Sequence, residues 1–597
     1  MKIPSVITCI FLASTTANAW FLDSSMLRVA NQSPIPLYVA LYYTKGTIGT
    51  RITGPYYLPN NNALHLELPS PQFLSVRHLC VALSSEELSP TKDMRVAAKA
   101  MLGLFKATDY TACINQIEGT PQLFDTQIWN SYAPPHHYAP TALTHTALVE
   151  EENFLQKRFI QTHIAQELYC GHTLTRPLTI GLCASGGGFR AMLTIAGVMS
   201  GLEELGILPL IQTCLGLSGA TWFLFPWLLS GETPTAYTSK LVTWLSQGLI
   251  HHLAEQYHDF ATVIATKKAH RLSISGIDLY GISLAYTLLK PIHTNALELS
   301  MQDVAHTMIP EKSPLILGTA VTRPQPTDTY EWAVISPFAL ELLNDHLTVP
   351  IHLLGAQFHT YQQLSSPPPP RLCYLLGIFG SSFSISIRDA LERVPEKLQP
   401  FVHKLLPESW QTRNWSNTKI TAAKIANPRF QTIDSPHAHI KNITLVDGGY
   451  LNNLPLEPAV KASSRPFDLL FVIDCKQERT GRLKSLRDGW QAAHKEAPWL
   501  PEIDEEAVIA KPLSIHGDPA TGSVIVYCTI EGDAEYDPLF NPAIDPDYAT
   551  PRLIYPPERA ERLVRYIRHV IVKHGEILRG IITTLGERQR LPQTPSN

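Results

Sequence analysis

The sequence predicts an α/β fold, a mixed sheet covered by helices, with a small β-rich domain ahead of it. Three observations predict it. From about residue 150, short apolar runs alternate with longer helix-compatible segments, the pattern of a sheet with helices on its faces. Two of those runs end in turns of small residues that open directly into helices, at Ser185–Gly188 and Ser218–Ala220. Before about residue 140 the pattern changes to β-type runs broken by Pro, Asn and Gly clusters.

Residues 1–19 read as an export signal. Lys2 supplies a positive charge, Val6 to Ala13 is a short apolar run, and Ala17-Asn18-Ala19 fits the small-x-small cleavage pattern. The run is too short to span a bilayer. A secreted or periplasmic location follows; a buried N-terminal strand is the alternative. Residues 20–140 hold β-type stretches at Met26–Val39 and Leu64–Leu83, read as a small β-sandwich, with no Asp-rich calcium loop. In an exported protein Cys80 and Cys113 are a candidate disulfide. Pro134-Pro135-His136-His137 reads as a linker, its histidines solvated rather than metal-binding.

Residues 150–597 suffice for one large core. Strand candidates are Leu178–Ala184, Ile211–Leu217, Pro314–Val321, Ile443–Val446 and Asp468–Ile473. Ala191–Leu205 reads as an apolar helix that Gly206 ends. Trp222–Leu229 is too short for a membrane span and reads as a buried helix. Residues 232–304 form a helix-rich insertion. His251, His252, Glu255 and His258 lie there, but not in H-E-x-x-H spacing, so a polar helix face is expected rather than a metal site. Ser365–Pro370 is a stiff surface segment. Glu558–Leu585 reads as a basic amphipathic helix, suited to docking on the core or lying on a membrane; docking is the expectation. Cys183, Cys214 and Cys475 sit in or beside apolar strands as free thiols, and no C-x-x-C suggests zinc. A formal charge of -4 leaves no basic surplus for nucleic acid.

The chemistry lies in three turns. In Gly216-Leu217-Ser218-Gly219-Ala220, a sharp strand-to-helix turn projects a serine oxygen away from the sheet, with small neighbours permitting the strained backbone. A serine hydroxyl becomes a nucleophile only when held and deprotonated by a neighbour. Gly186-Gly187-Gly188 can aim consecutive N–H groups at one point at a helix N-terminus, as an oxyanion requires. It lacks the G-x-G-x-x-G register and a following Gly-Lys-Ser/Thr, which disfavours nucleotide. Arg190 in the first helical turn opposes the helix dipole, and so suggests an anionic partner such as a phosphate. Asp447 enters the double glycine Gly448-Gly449 from an apolar strand and is the candidate base. Asp474 also ends a strand, without glycines. A histidine completing a triad is the alternative, and none sits in a comparable turn.

These motifs, Ser185-Gly186-Gly187-Gly188-Phe189-Arg190-Ala191-Met192, Gly216-Leu217-Ser218-Gly219-Ala220-Thr221-Trp222 and Asp447-Gly448-Gly449, resemble the catalytic domain of cytosolic phospholipase A2 and fungal phospholipase B, relatives of the patatin lipases. Weaker similarities are Ile277-Asp278-Leu279-Tyr280-Gly281, Trp332 to Phe338, and Phe379-Gly380-Ser381-Ser382-Phe383-Ser384. The resemblance implies a patatin-like sheet and a Ser–Asp dyad without histidine. Ser218 would be the nucleophile, Asp447 the base, Gly187 and Gly188 the oxyanion hole, and Arg190 the phosphate ligand. It implies phospholipid or lysophospholipid ester hydrolysis, transient contact with a membrane surface, and no metal or cofactor. Residues 232–304 would supply the lid. Ala220 departs from the family's usual serine, and no calcium-dependent membrane domain is recognisable. A neutral-lipid esterase, an acyltransferase, or an inactive lipid-binding protein on the same fold are the alternatives.

Overall fold

A computed structural model describes residues 145–590, apart from 246–252, 271, 324–329, 345–346, 357, 360–361, 364–367, 383–422, 430–439, 464, 551 and 553, together with the backbone of eight strands before residue 142. The chain divides into two compact units, Met1–Thr141 and Ala142–Asn597.

The first unit carries two sheets. One contains Thr8–Leu12, His78–Ser84, Leu37–Lys45, Ile48–Leu58 and Met94–Arg95; the other contains Asn62–Glu67, Met26–Asn31 and Thr111–Ile114. Thr8–Leu12, the middle of the apolar run read as an export signal, is a strand antiparallel to His78–Ser84. The remainder of residues 1–19, the linker with His136 and His137, and the side chains of Cys80 and Cys113 lie outside the described residues.

The second unit is built on an eleven-stranded mixed sheet. Its strands are β1 (Ile180–Ala184), β2 (Thr213–Leu217), β3 (Leu315–Arg323), β4 (Glu331–Ile335), β5 (Ala339–Leu342), β6 (Leu347–Pro350), β7 (Ala423–Ala426), β8 (Asn442–Asp447), β9 (Leu469–Asp474), β10 (Leu513–His516) and β11 (Val524–Thr529). The order is β6-β5-β4-β3-β2-β1-β9-β11-β10, with β8 on β3 and β7 on β8. β3, β2, β1, β9 and β11 run parallel, and the remaining pairs are antiparallel. Four of the parallel strands, β1, β2, β9 and β11, are buried at every position, which explains their unbroken apolar runs. All five expected strands are present within two residues of the expected bounds.

The helices are α1 (His145–Cys170), α2 (Phe189–Glu204), α3 (Thr221–Ser230), α4 (Pro234–Trp244), α5 (Leu253–Ala269), α6 (Gly276–Leu288), α7 (Met301–Thr307), α8 (Leu372–Phe379), α9 (Leu456–Lys461), α10 (Arg479–Glu496), α11 (Glu505–Ala510), α12 (Pro557–Lys573) and α13 (Gly575–Glu587). Gly206 ends α2 at φ 69, and Gly231 caps α3 in the left-handed conformation. The insertion is α4 to α7; His251 and His252 lie outside the described residues, as do the side chains of Glu255 and His258. Cys183, Cys214 and Cys475 are buried free thiols.

The basic C-terminal segment is two helices, broken at His574, rather than one. Its apolar stripe docks on the core. Gly197 and Gly201, four residues apart on α2, allow this approach: a Cβ on either would stand 2.8 Å from the Cβ of Ile567 or Ile571 on α12. The arginines face outward, and Arg562 and Arg568 pair with Asp537 and Glu204.

One irregularity in the sheet positions the chemistry. The parallel register of β2 on β3 ends with Leu217 opposite Thr319. The next β3 residue, Ala320, is opposite Asp447 of β8. The chain of β2 thus turns away at Ser218, and β8 takes its place along the rest of β3. The two strand ends abut: a Cβ on Gly448 would lie 3.0 Å from Leu217 Cδ1 and 3.3 Å from Thr319 Oγ1.

Candidate active site

At this seam Ser218 follows β2 and opens a short 3-10 turn, Ser218–Ala220, that runs into α3. Its φ is 53, the sole positive value at a non-glycine among the described residues. That backbone is strained for an L-residue and lifts the side chain off the strand direction. Ser218 is buried, and its Oγ closes no hydrogen bond among the described residues. It lies near enough to the Asp447 carboxylate to favour the charged form of that group.

Asp447 is fully buried. Its Oδ1 accepts the Gly449 N–H at 2.7 Å, and its Oδ2 accepts Ser382 Oγ–H at 2.9 Å and Ser382 N–H at 3.3 Å. Its own N–H donates to Ser381 Oγ at 2.9 Å. Burial raises the carboxyl pKa from 3.8 to about 6, against the hydrogen bonds from Gly449 and Ser382 and the nearby Ser218 hydroxyl, which favour the charge. Among the described residues no histidine bonds to either group.

The triple-glycine turn lies against the serine turn. Gly187 has φ 152 and Gly188 φ 62, conformations that favour glycine. A Cβ on Gly219 would fall 2.0 Å from Gly188 O, and one on Gly186 would fall 3.0 Å from Ser218 Cβ. Gly186 N–H donates to Asn453 O at 3.2 Å, and Asn453 Nδ2 donates to Gly186 O at 3.3 Å. The residues after Asp447 therefore clamp this turn from the other side. Gly188 caps α2, and among the described residues neither the Gly187 nor the Gly188 N–H has a backbone acceptor. Two amides without a backbone acceptor thus lie at the start of α2, against the Ser218 turn.

With this arrangement in view, the comparison with known proteins is specific. Residues 180–486 match the family described as the lysophospholipase catalytic domain, just over half of the chain. The chain belongs to this family. Among similar proteins, human cytosolic phospholipase A2 zeta is 29% identical over 216 residues, 35% of this chain and 25% of that one. Human cytosolic phospholipase A2 epsilon is 26% identical over 316 residues, 51% of this chain and 35% of that one. The chain therefore spans about a quarter to a third of the length of these relatives. A solved structure of human GIVD cytosolic phospholipase A2 is similar over 92% of this chain and 81% of that one, with a TM-score of 0.59 at 15% identity. At that identity the likeness establishes the fold, a patatin-like mixed sheet with surrounding helices.

Within the lysophospholipase fold, Arg190, for which the sequence suggests an anionic partner, is held along one edge by the chain itself. It is buried, Nε donates to Cys475 O at 2.7 Å, and Nη1 donates to Tyr548 O at 2.8 Å. It ties the start of α2 to the end of β9 and to the 546–548 turn. Desolvation lowers its pKa. Nη2 is the remaining edge, and it lies 3.0 Å from the Cβ position of Gly187, facing the glycine turn.

The other strand-end aspartate has a different environment. Asp474 accepts Tyr527 Oη–H at 2.7 Å, Lys476 N–H at 2.9 Å and Ser185 Oγ–H at 3.4 Å. It fastens β9 to β11 and to the start of the glycine turn, one strand beyond β1 and away from Ser218. Ser381 and Ser382, which follow α8 at Gly380, carry no role that the sequence alone assigns. The signal was the Gly380-Ser381-Ser382 tripeptide, whose proximity to Asp447 is not readable from spacing. Tyr280 on α6, part of one of the weaker sequence similarities, also lies here. Its ring packs edge-on against Trp222 with centroids 6.2 Å apart, and its buried hydroxyl has no partner among the described residues. Burial and the charge of Asp447 both raise its pKa.

Among the described residues no group of three His, Cys, Asp or Glu side chains is arranged to hold a metal ion, and no helix is long and apolar enough to cross a membrane.

Proposed function

We propose that this chain hydrolyses fatty-acyl esters of glycerophospholipids or lysophospholipids through an acyl-enzyme on Ser218. One observation carries the reading: a strained, buried and unbonded hydroxyl adjoins a buried carboxylate of pKa about 6, beside two amides without acceptors. In the forward step Ser218 Oγ bonds to the ester carbonyl carbon while its proton passes to Asp447. The amides of Gly187 and Gly188 receive the oxyanion. Collapse breaks the bond to the glycerol oxygen, which takes the proton from Asp447. Water then attacks the acyl-serine, gives its proton to Asp447, and releases the fatty acid as Ser218 recovers its proton. Each role needs only groups of the chain.

An alkyl fluorophosphonate tests the reading directly. Mass spectrometry should find one adduct, on the peptide containing Ser218. Labelling of a different serine, with Ser218 unmodified and activity lost, would end it.

Ser382 is a positioning residue, acting through Asp447. Ser382→Ala removes one hydrogen bond to the charged carboxylate, so the acid limb of kcat/KM should move up by about one pH unit. A purely structural loss would lower the plateau and leave the limb where it was.

For Arg190 we assign Nη2 to the substrate phosphate. Arg190→Ala should lower thermal stability, since two buried carbonyls lose their donors. It should also reduce the rate ratio of phospholipid to neutral acylglycerol by at least about tenfold. The ratio separates phosphate recognition from packing; an unchanged ratio favours the neutral-lipid esterase. Export through residues 1–19 is a separate proposal: a secreted chain beginning at Trp20 supports it, and a mature chain that keeps Thr8–Leu12 paired with His78–Ser84 overturns it.

A further inference from the structure

Asn442 opens β8 and Asp447 closes it. At the Asn442 end lies a cavity of about 410 Å3, bordered by α5, α6, α8, β7 and the Pro368–Arg371 segment and partly open to solvent. Helix α6 faces both places: Asp278 and Ile282 line the cavity, whereas Tyr280 packs on Trp222 beside the nucleophile.

The lining has a distinct chemistry. Lys267, Arg371 and Lys424 bring three cations, and Asp278 the single carboxylate. Lys267 is already committed, with Nζ 2.5 Å from Asp278 Oδ1, donating to Ser273 O at 3.2 Å and resting 3.7 Å over the Tyr374 ring. Arg371 gives Nη1 to Leu297 O at 3.1 Å. Among the described residues neither Arg371 nor the exposed Lys424 pairs with a carboxylate. The rest of the lining includes the apolar residues Val263, Ile282, Leu354 and Ile425. A cavity of this size is of ligand scale. Its surplus positive charge selects an anion, and its apolar residues select a hydrocarbon attached to that anion.

We propose that this cavity is a second ligand site, for a single-chain anionic amphiphile. The head group meets Arg371 and Lys424, and the chain lies along Val263, Ile282 and Leu354. A fatty carboxylate and a free phosphate share the head-group chemistry; the apolar residues distinguish them. A fatty carboxylate would also be the product released at Ser218. That link rests on the proposed hydrolysis, whereas occupancy of the cavity does not. Because α6 borders both places, a ligand here bears on the helix that packs against the nucleophile's own helix.

The test is calorimetric titration of the full chain carrying Ser218→Ala with sodium laurate below its micellar concentration, beside inorganic phosphate and dodecanol. The substitution separates binding from turnover, so failure of this site and failure of the hydrolase reading give different results. Laurate is expected to bind, with dodecanol and phosphate each at least about tenfold weaker. Lys424→Glu, on an exposed side chain, should weaken laurate about fivefold. Thr266→Trp, which projects an indole into the cavity, should abolish that binding. In the Ser218 form, Lys424→Glu should leave hydrolysis of a soluble short-chain ester unchanged. Laurate binding that is indifferent to both Lys424→Glu and Thr266→Trp would overturn the site. So would phosphate binding as tightly as laurate, or loss of laurate binding on phosphonylation of Ser218, which would put the laurate at the nucleophile.

Discussion

Ser218→Ala is expected to remove phospholipid hydrolysis by a factor of at least about 10^4, with no adduct from a fluorophosphonate and no loss of stability. The absence of a stability penalty is the informative half. Ser218 adopts φ 53, which costs a non-glycine residue about 1 kcal/mol or more. Its buried hydroxyl closes no hydrogen bond among the described residues, so deleting it forfeits none and removes a desolvated polar group. Ser218→Gly should go further, stabilising the fold by about 1 kcal/mol because glycine adopts this φ without strain. Both variants should be inactive. Equilibrium unfolding in urea alongside an ester assay reads the two effects together. An inactive Ser218→Ala chain that is also strongly destabilised would make the residue a packing element rather than a strained nucleophile. Retained activity would move the chemistry elsewhere.

Much of this site is legible in the sequence because its parts are local. A buried strand followed by a turn of small residues can be read within ten positions, as at Ile180–Gly188 and Thr213–Ala220. The strand-end aspartate at Val446-Asp447-Gly448-Gly449 is equally local. What pairs these turns is not local. Ser218 and Asp447 meet because β8 replaces β2 along β3 at the Thr319/Ala320 step, and no spacing rule encodes that substitution. For the same reason the role of Ser381 and Ser382 is not legible locally: their contact with Asp447 spans 65 residues or more. Arg190 is legible only in part. Its position in the first helical turn is read correctly, but the carbonyls of Cys475 and Tyr548 that bury it come from the far end of the chain. The break at His574 is masked by an apolar period that continues across it, although Gly575 is a local signal for a helix end.

Asp447→Asn is expected to lower kcat by roughly 10^2- to 10^4-fold, the scale of a lost general base, and to erase the acid limb of the pH–rate profile. In the unaltered chain the limb should centre near pH 6, with kcat/KM falling tenfold per pH unit below it, because Asp447 must be ionised to accept the serine proton and its pKa is about 6. The same group has a signed effect on stability. Its pKa is higher in the folded chain than the ordinary 3.8, so the folded form binds the proton more tightly than the unfolded form. That contribution is fully present below pH 3.8 and is lost as the pH rises through 6. Above pH 6 the ionised, desolvated carboxylate weighs against the fold by about 3 kcal/mol relative to its protonated form. Asparagine carries no charge to desolvate, although its amide cannot accept the Ser382 N–H and the Gly449 N–H together. At pH 8 the variant should therefore be no less stable than the parent, and its advantage should shrink as the pH falls toward 4. A parent profile flat from pH 5 to 8, or a variant that keeps the parent's acid limb in its residual activity, would show that the proton leaving Ser218 goes to a different group.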